Sequence, residues 1–178
     1  MQAYFHPFRL LATLGLAISG CTTDPVVVET GTVEGYRPLY LTTAELRNIA
    51  AQPARSLQHP GKIYVHGSYL FINERGKGIH VVNNHNPSAP QPVAFISVPG
   101  NADIAVQGNV LYADNATDLV SLDISDPLHV RVLHRVENAF PYQMYPEQTG
   151  VAFQCVDKSK GVVVGWEKTT LENPQCRR

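Results

Sequence analysis

The chain has 178 residues, enough for one domain of ordinary size, with 44% apolar and 16% charged residues and a formal net charge of −1. That balance describes a globular core and excludes a disordered tail; the five Lys and nine Arg are scattered along the chain, which speaks against nucleic acid as a partner. Thirteen Gly, thirteen Pro and twenty Val beside only two Met favour an all-β chain of short strands and tight turns, because Val suits a pleated half-buried surface and Gly and Pro punctuate it.

The N-terminus reads as an address. Arg9 precedes the nine-residue apolar run Leu10–Ile18, and the small residues Ser19 and Gly20 lead to Cys21. These are a charged n-region, a short h-region and a cleavage site. The apolar run is far short of the roughly 20 residues a permanent spanning helix needs. The ending Ile18-Ser19-Gly20-Cys21 resembles the bacterial lipobox, whose Cys is acylated on its thiol, cut on its N-terminal side and acylated again on the new amine. The resemblance implies lipidation at Cys21 and stable membrane anchorage, since several acyl chains hold where one is marginal. An ordinary secretory signal is the alternative. Thr22 stands where an Asp marks inner-membrane retention in enterobacteria, so the same resemblance implies the outer membrane, on either face. Residues 1–20 are thus expected as a signal peptide, 21–35 as a flexible tether and 36–178 as the folded domain.

With Cys21 committed to lipid, Cys155 and Cys176 remain as an even pair in an oxidising compartment. A bridge is expected there, closing a loop of about twenty residues worth roughly 3 kcal/mol. Two free thiols are the alternative. No His lies between them, so they make a poor metal site.

Thr42-Thr43-Ala44-Glu45 offers a capping box, which predicts a helix over about 43–51 that Pro53 stops. From Gly61 the pattern changes to strands and repeats itself. Ile63, Val65, Gly67, Leu70 and Phe71 recur 41 residues on as Ile104, Val106, Gly108, Leu111 and Tyr112. After the loss of one loop residue, Ile79, Val82, Asn83, Asn86 and Pro87 recur 40 residues on as Leu119, Leu122, Asp123, Asp126 and Pro127. Such a period points to four-stranded propeller blades. Strands are expected at 63–66, 69–73, 78–83, 93–98, 104–107, 110–113, 119–123 and 130–136, with hairpin turns at Gly67-Ser68 and Gly108-Asn109. Asx-Pro turns are expected at Asn86-Pro87 and Asp126-Pro127. A fainter third unit holds strands near 150–157 and 161–166.

The segments Gly78–Pro87 (GIHVVNNHNP) and Leu119–Pro127 (LVSLDISDP) resemble the LVIVD repeat: an apolar strand, Asp, Ile, then Ser-Asx-Pro. The second copy fits best; in the first, Asn83 and Asn84 replace the usual Asp and Ile. From about Gly35 onward the chain is similar to LVIVD-repeat lipoproteins of Gram-negative bacteria, which implies a β-propeller-like fold of four-stranded blades. About 118 residues from Gly61 supply at most three blades, and propellers need four to close. The chain is therefore expected to be a short relative, a truncated gene product or a partner in an intermolecular ring, and an incomplete ring with exposed blade edges implies self-association.

Chemistry-bearing clusters are sparse. His66, His80 and His85 do not converge as metal ligands must, so no metal is expected. Asp114, Asp118, Asp123 and Asp126 lack the Gly and distal Glu of a calcium loop. Nucleophile elbows, zinc-protease motifs and phosphate loops are absent from the sequence, so no catalytic residue and no cofactor is assigned. Phe140, Tyr142, Tyr145 and Trp166 around Pro141 and Pro146 read as an aromatic cover or a binding face. Two functions of different class follow. One is a lipid-anchored, non-catalytic envelope module that binds a protein or surface ligand; the other is a propeller-type envelope hydrolase using Glu74, Arg75, Asp114, Asn115 and Asp118 at a central channel.

Overall fold

A computed structural model describes residues 31–178. Cys21 and the signal segment lie outside the described residues. The order is β1 (Thr32–Leu41), α1 (Thr43–Leu46), β2 (Ala50–Pro53), β3 (Pro60–His66), β4 (Tyr69–Glu74), β5 (Gly78–Asn83), β6 (Gln91–Ser97), β7 (Ile104–Gln107), β8 (Val110–Asn115), β9 (Asp118–Asp123), β10 (Arg131–Val136), β11 (Ala152–Phe153), β12 (Val162–Glu172) and β13 (Cys176–Arg177). The fold is all-β, in three sheets of propeller-blade type that do not close on themselves.

Each LVIVD-like segment builds one antiparallel sheet. The first runs β2-β6-β5-β4-β3 and the second β10-β9-β8-β7. Their β-hairpins turn at Gly67 (φ 57°) and Gly108 (φ 55°), left-handed positions that a two-residue turn requires and Gly meets without strain. The turn after the third strand is made the same way in both copies. Asn83 Oδ1 accepts from the His85 N–H at 2.9 Å and Asn86 Oδ1 from the Ser88 N–H at 3.1 Å. Forty residues on, Asp123 Oδ1 accepts from Ser125 N–H at 3.0 Å and Asp126 Oδ1 from Leu128 N–H at 3.0 Å. Replacing Asp by Asn in the first copy therefore keeps the turn, because either side chain supplies the acceptor.

The sheets stack front to back. Phe71, Ile79, Val81, Ala94, Ile96 and Val98 of the first sheet meet Ile104, Leu111, Ala113, Val120, Leu122 and Ile124 of the second in one core. Fully burying a side chain of this kind contributes about 1.5–3 kcal/mol. The two sheets use opposite faces: Phe71 is fully buried, while Tyr112, its counterpart on the second sheet, faces away from this core and is 37% exposed. The other face of the first sheet is covered by the β2–β3 connection, where the Arg55 guanidinium lies 3.3 Å from the centre of the Phe95 ring.

Three expectations are corrected. The helix stops at Leu46, since residues 50–53 form β2 on the edge of β6, with Ala50 opposite Ser97 and Pro53 opposite Ala94. An open strand edge offered more backbone pairing than a second helical turn, although the capping box itself is present. The first sheet consequently has five strands and not four. The third sheet is not a run of consecutive strands: it is ordered β12-β1-β11-β13. β1 starts at Thr32, inside the stretch expected as tether, and pairs antiparallel with β12 over its full length and parallel with β11. Its burial pattern is mixed, so no period-2 alternation marked it in the sequence. Cys155 and Cys176 are joined, with Cα atoms 5.3 Å apart, tying β13 to the end of β11.

Candidate functional site

The inner strands of the three sheets surround a cleft of about 770 Å³. Its walls are Gly61 and Lys62 of β3, the 100–103 connection into β7, Val164 to Trp166 of β12 and Tyr36 of β1. The β4–β5 turn adds Arg75 and Gly76, and the loop before β11 adds Gln143, Glu147 and Gln148. Every part of the fold thus supplies one side of it. A size of this order suits a small-molecule ligand.

One ion pair braces the wall. Lys62 Nζ lies 2.7 Å from Asp103 Oδ1, and these residues are equivalent positions of the two repeats, 41 apart. The hydrogen bond with Asp103 raises the Lys62 pKa, and the same bond lowers that of Asp103 against the opposing effect of burial. Behind the wall, the Asn101 amide donates to Asp114 Oδ1 at 2.8 Å and to the Asp103 carbonyl at 2.8 Å. Asp114 also accepts from the Ala102 and Asp103 N–H groups at 2.9 and 2.8 Å. Burial nonetheless pushes its carboxyl up, outweighing those bonds.

Other groups on the cleft wall have no protein partner among the described residues. The side chains of Tyr36, Arg75, Gln143, Glu147 and Gln148 line it without a hydrogen bond or ion pair. The Trp166 indole N–H is buried and unpartnered as well; leaving such a donor unsatisfied costs about 1–3 kcal/mol. The Trp166 ring is fixed edge-on to Phe153, centroids 5.4 Å apart at 86°.

Of the five residues considered for catalysis, only Arg75 lines the cleft. Glu74 is buried against His80, which its carboxylate contacts directly, with Lys77 Nζ at 3.4 Å. Asp118 receives Arg135 Nη1 at 2.7 Å and the Asn138 N–H at 3.1 Å, and Asn115 Oδ1 accepts from the same arginine at 2.8 Å. Asp114 is occupied by the bonds given above. These groups hold the strand ends together and do not converge. No set of three or more His, Cys, Asp or Glu among the described residues is placed to hold a metal: His80 is buried on Glu74, His66 rests near Phe71, and His85 is exposed in its turn. Asp123 and Asp126 hold their turns and pair with Arg131 at 2.6 Å and His129 at 2.7 Å.

The aromatic group divides. Trp166 belongs to the central cleft, whereas Phe140, Tyr142 and Tyr145 line an adjoining groove of about 380 Å³ that shares Gly100, Ala102, Gln143 and Val164 with it. There the Tyr142 hydroxyl donates to the Gly161 carbonyl. Sequence reasoning missed Tyr36, Gln143, Glu147 and Gln148. A glutamine in a loop carries no local signal, and Tyr36, the first residue of the stretch expected to fold, sits on a strand that no alternation marks.

Comparison with known families places the LVIVD repeat model on residues 59–94 and 99–137, the two stacked sheets. No curated protein and no solved structure matches the chain.

Proposed function

From a chain that contains two LVIVD repeats, we propose a lipid-anchored, non-catalytic binding module of the cell envelope, whose ligand occupies the cleft among the three sheets. The carrying observation is the set of polar side chains on the cleft wall that have no partner among the described residues, Tyr36 and Trp166 on strands and Arg75, Gln143, Glu147 and Gln148 on the turns and loops between them. The hydrolase reading loses its support, because four of its five residues are consumed by structural hydrogen bonds.

The anchoring half of the proposal rests on Cys21 and its small-residue context, with the outer membrane as destination. Among the described residues no helix is long and apolar enough to cross a membrane. Radiolabelled palmitate should enter the wild type and be absent from Cys21→Ser, which should also leave the membrane fraction; equal labelling overturns this half. The binding half is tested by thermal denaturation of the protein against peptides, nucleotides, saccharides and fatty acids. Stabilisation by one class, lost in Arg75→Ala or Gln148→Ala, supports it. Stabilisation that both variants retain overturns it.

Self-association through a blade edge belongs to the same proposal. The outer edge strand of the first sheet is the four-residue β2, whereas the six-residue β10 ends the second sheet with Val132, Leu133 and Val136 exposed. Sedimentation at rising concentration should show dimers that Leu133→Lys abolishes, and a monomer throughout overturns this point.

A further inference from the structure

We propose that the central cleft is a saccharide site, taking a short oligosaccharide of neutral or singly acidic rings. This rests on the cleft being the binding site and goes on to name the chemistry of what binds there. Tyr36, Arg75, Gln143, Glu147, Gln148 and Trp166 are the side chains on its wall without a hydrogen-bond or ion-pair partner among the described residues. Two primary amides and a phenol among them offer donors and acceptors on one wall. A chain of hydroxyls, each both donor and acceptor, satisfies such a set, whereas an apolar ligand leaves it unpaired.

Charge narrows the class. Lys62 and Asp103 neutralise each other, leaving one cation, Arg75, and one anion, Glu147. A phosphate-bearing ligand calls for an excess of positive charge that this wall does not hold. Arg75 can meet a single carboxylate in the bidentate manner of guanidinium groups, so an acidic sugar is admitted and a polyanion is not. Aromatic surface completes the set: Trp166 and Tyr36 line the wall and give apolar ring surface to the C–H side of a sugar, and the Tyr36 hydroxyl adds a polar tip. The Trp166 ring is held in place by Phe153, so its face is ordered before any ligand arrives.

Trp166 is the single tryptophan of the chain, so its emission reports directly on the cleft. The full-length protein in detergent is titrated with chitotriose, maltotriose and trigalacturonate, and with the dipeptide Ala-Ala and AMP as comparators, each to about 10 mM. The expected result is a saturable emission change with at least one trisaccharide, weakened about tenfold in both Gln143→Ala and Gln148→Ala. If the ligand is acidic, Arg75→Ala weakens trigalacturonate more than a neutral sugar. Melting curves of the three variants, all altered at exposed positions, verify that they remain folded. Saturation by Ala-Ala or AMP but by no saccharide overturns the saccharide inference and leaves the cleft as the binding site. No change with any probe overturns the saccharide inference and removes the basis of the binding reading with it.

Discussion

Replacing His80 by Val, the residue found 40 positions on at Val120, leaves the Glu74 carboxylate stranded. Glu74 and His80 are 1% and 2% exposed, His80 packs edge-on against Phe95 at 4.9 Å, and the one remaining cation, Lys77, is 3.4 Å away and half-exposed. A buried charge that loses its main partner costs about 3 kcal/mol. That is a large part of the 5–15 kcal/mol typical of a domain. With a urea slope of about 2 kcal/mol/M, the unfolding midpoint should fall by about 1.5 M. The double variant Glu74→Gln/His80→Val should recover part of this, because a neutral amide is less costly to bury than a carboxylate. Acid adds a second test. Burial pushes the Glu74 carboxyl up, but the His80 hydrogen bond and charge, with Lys77, outweigh it and hold the pKa below the ordinary value of 4.5. A depressed folded pKa means that the stabilisation is present above about 4.5 and is lost as pH falls through the folded value. Wild-type stability should therefore decline in that acid range, and less steeply in Glu74→Gln. A single variant within about 1 kcal/mol of wild type, or a double variant no more stable than the single, would refute the reasoning.

Three further outcomes are expected. The Asp123 carboxyl should titrate at about 2, held down by the Ser125 hydroxyl and N–H and then by Arg131; carbon NMR should find the midpoint raised in Ser125→Ala, and more than in Arg131→Ala. Cys176→Ser, which opens a bridge spanning 21 residues, should cost about 3 kcal/mol, with hydrogen exchange rising first at Phe153 and Arg177, and uniform exchange across all three sheets would contradict it. Gly78→Ala places a Cβ 2.1 Å from the Ile96 carbonyl oxygen at φ +146°; a backbone clash in a left-handed position should cost about 3 kcal/mol or more in urea unfolding, whereas Gly67→Ala, with open space around it, should cost distinctly less.

The strands of the two repeats were legible because alternation, hairpin glycines and Asx-Pro turns are local signals, and each was written twice in the chain. The strand ends differ between the repeats and carry the residues of the hydrolase alternative, Glu74, Asn115 and Asp118 among them. In the structure they are two solutions to one problem. Where the first repeat places an acid at Glu74 and a base at His80, the second places Asn115 and Val120 there and supplies Asp118 and Arg135 from neighbouring positions. Each strand-end cluster thus pairs a carboxylate with a base, and sequence comparison cannot tell a relocated pair from a changed function. The third sheet was illegible for another reason: Tyr36 and Trp166 are brought near one cleft by pairing between β1 and β12, residues some 130 apart, and no window of sequence contains both.

The threading of β1 between β12 and β11 has a consequence for how the protein is made. The repeat hairpins can assemble as soon as their residues are available, since their partners are close in sequence. The third sheet cannot. β1 begins at Thr32 and its partner β12 ends at Glu172, so the earliest described strand to leave the synthetic machinery waits, unpaired, for nearly the last. β1 and the strands after the second repeat therefore depend on one another. Removing β11 and β12 would orphan β1 as surely as deleting β1 would orphan them, and a chain halted after the second repeat would carry ten residues of open strand in search of any edge that would take them.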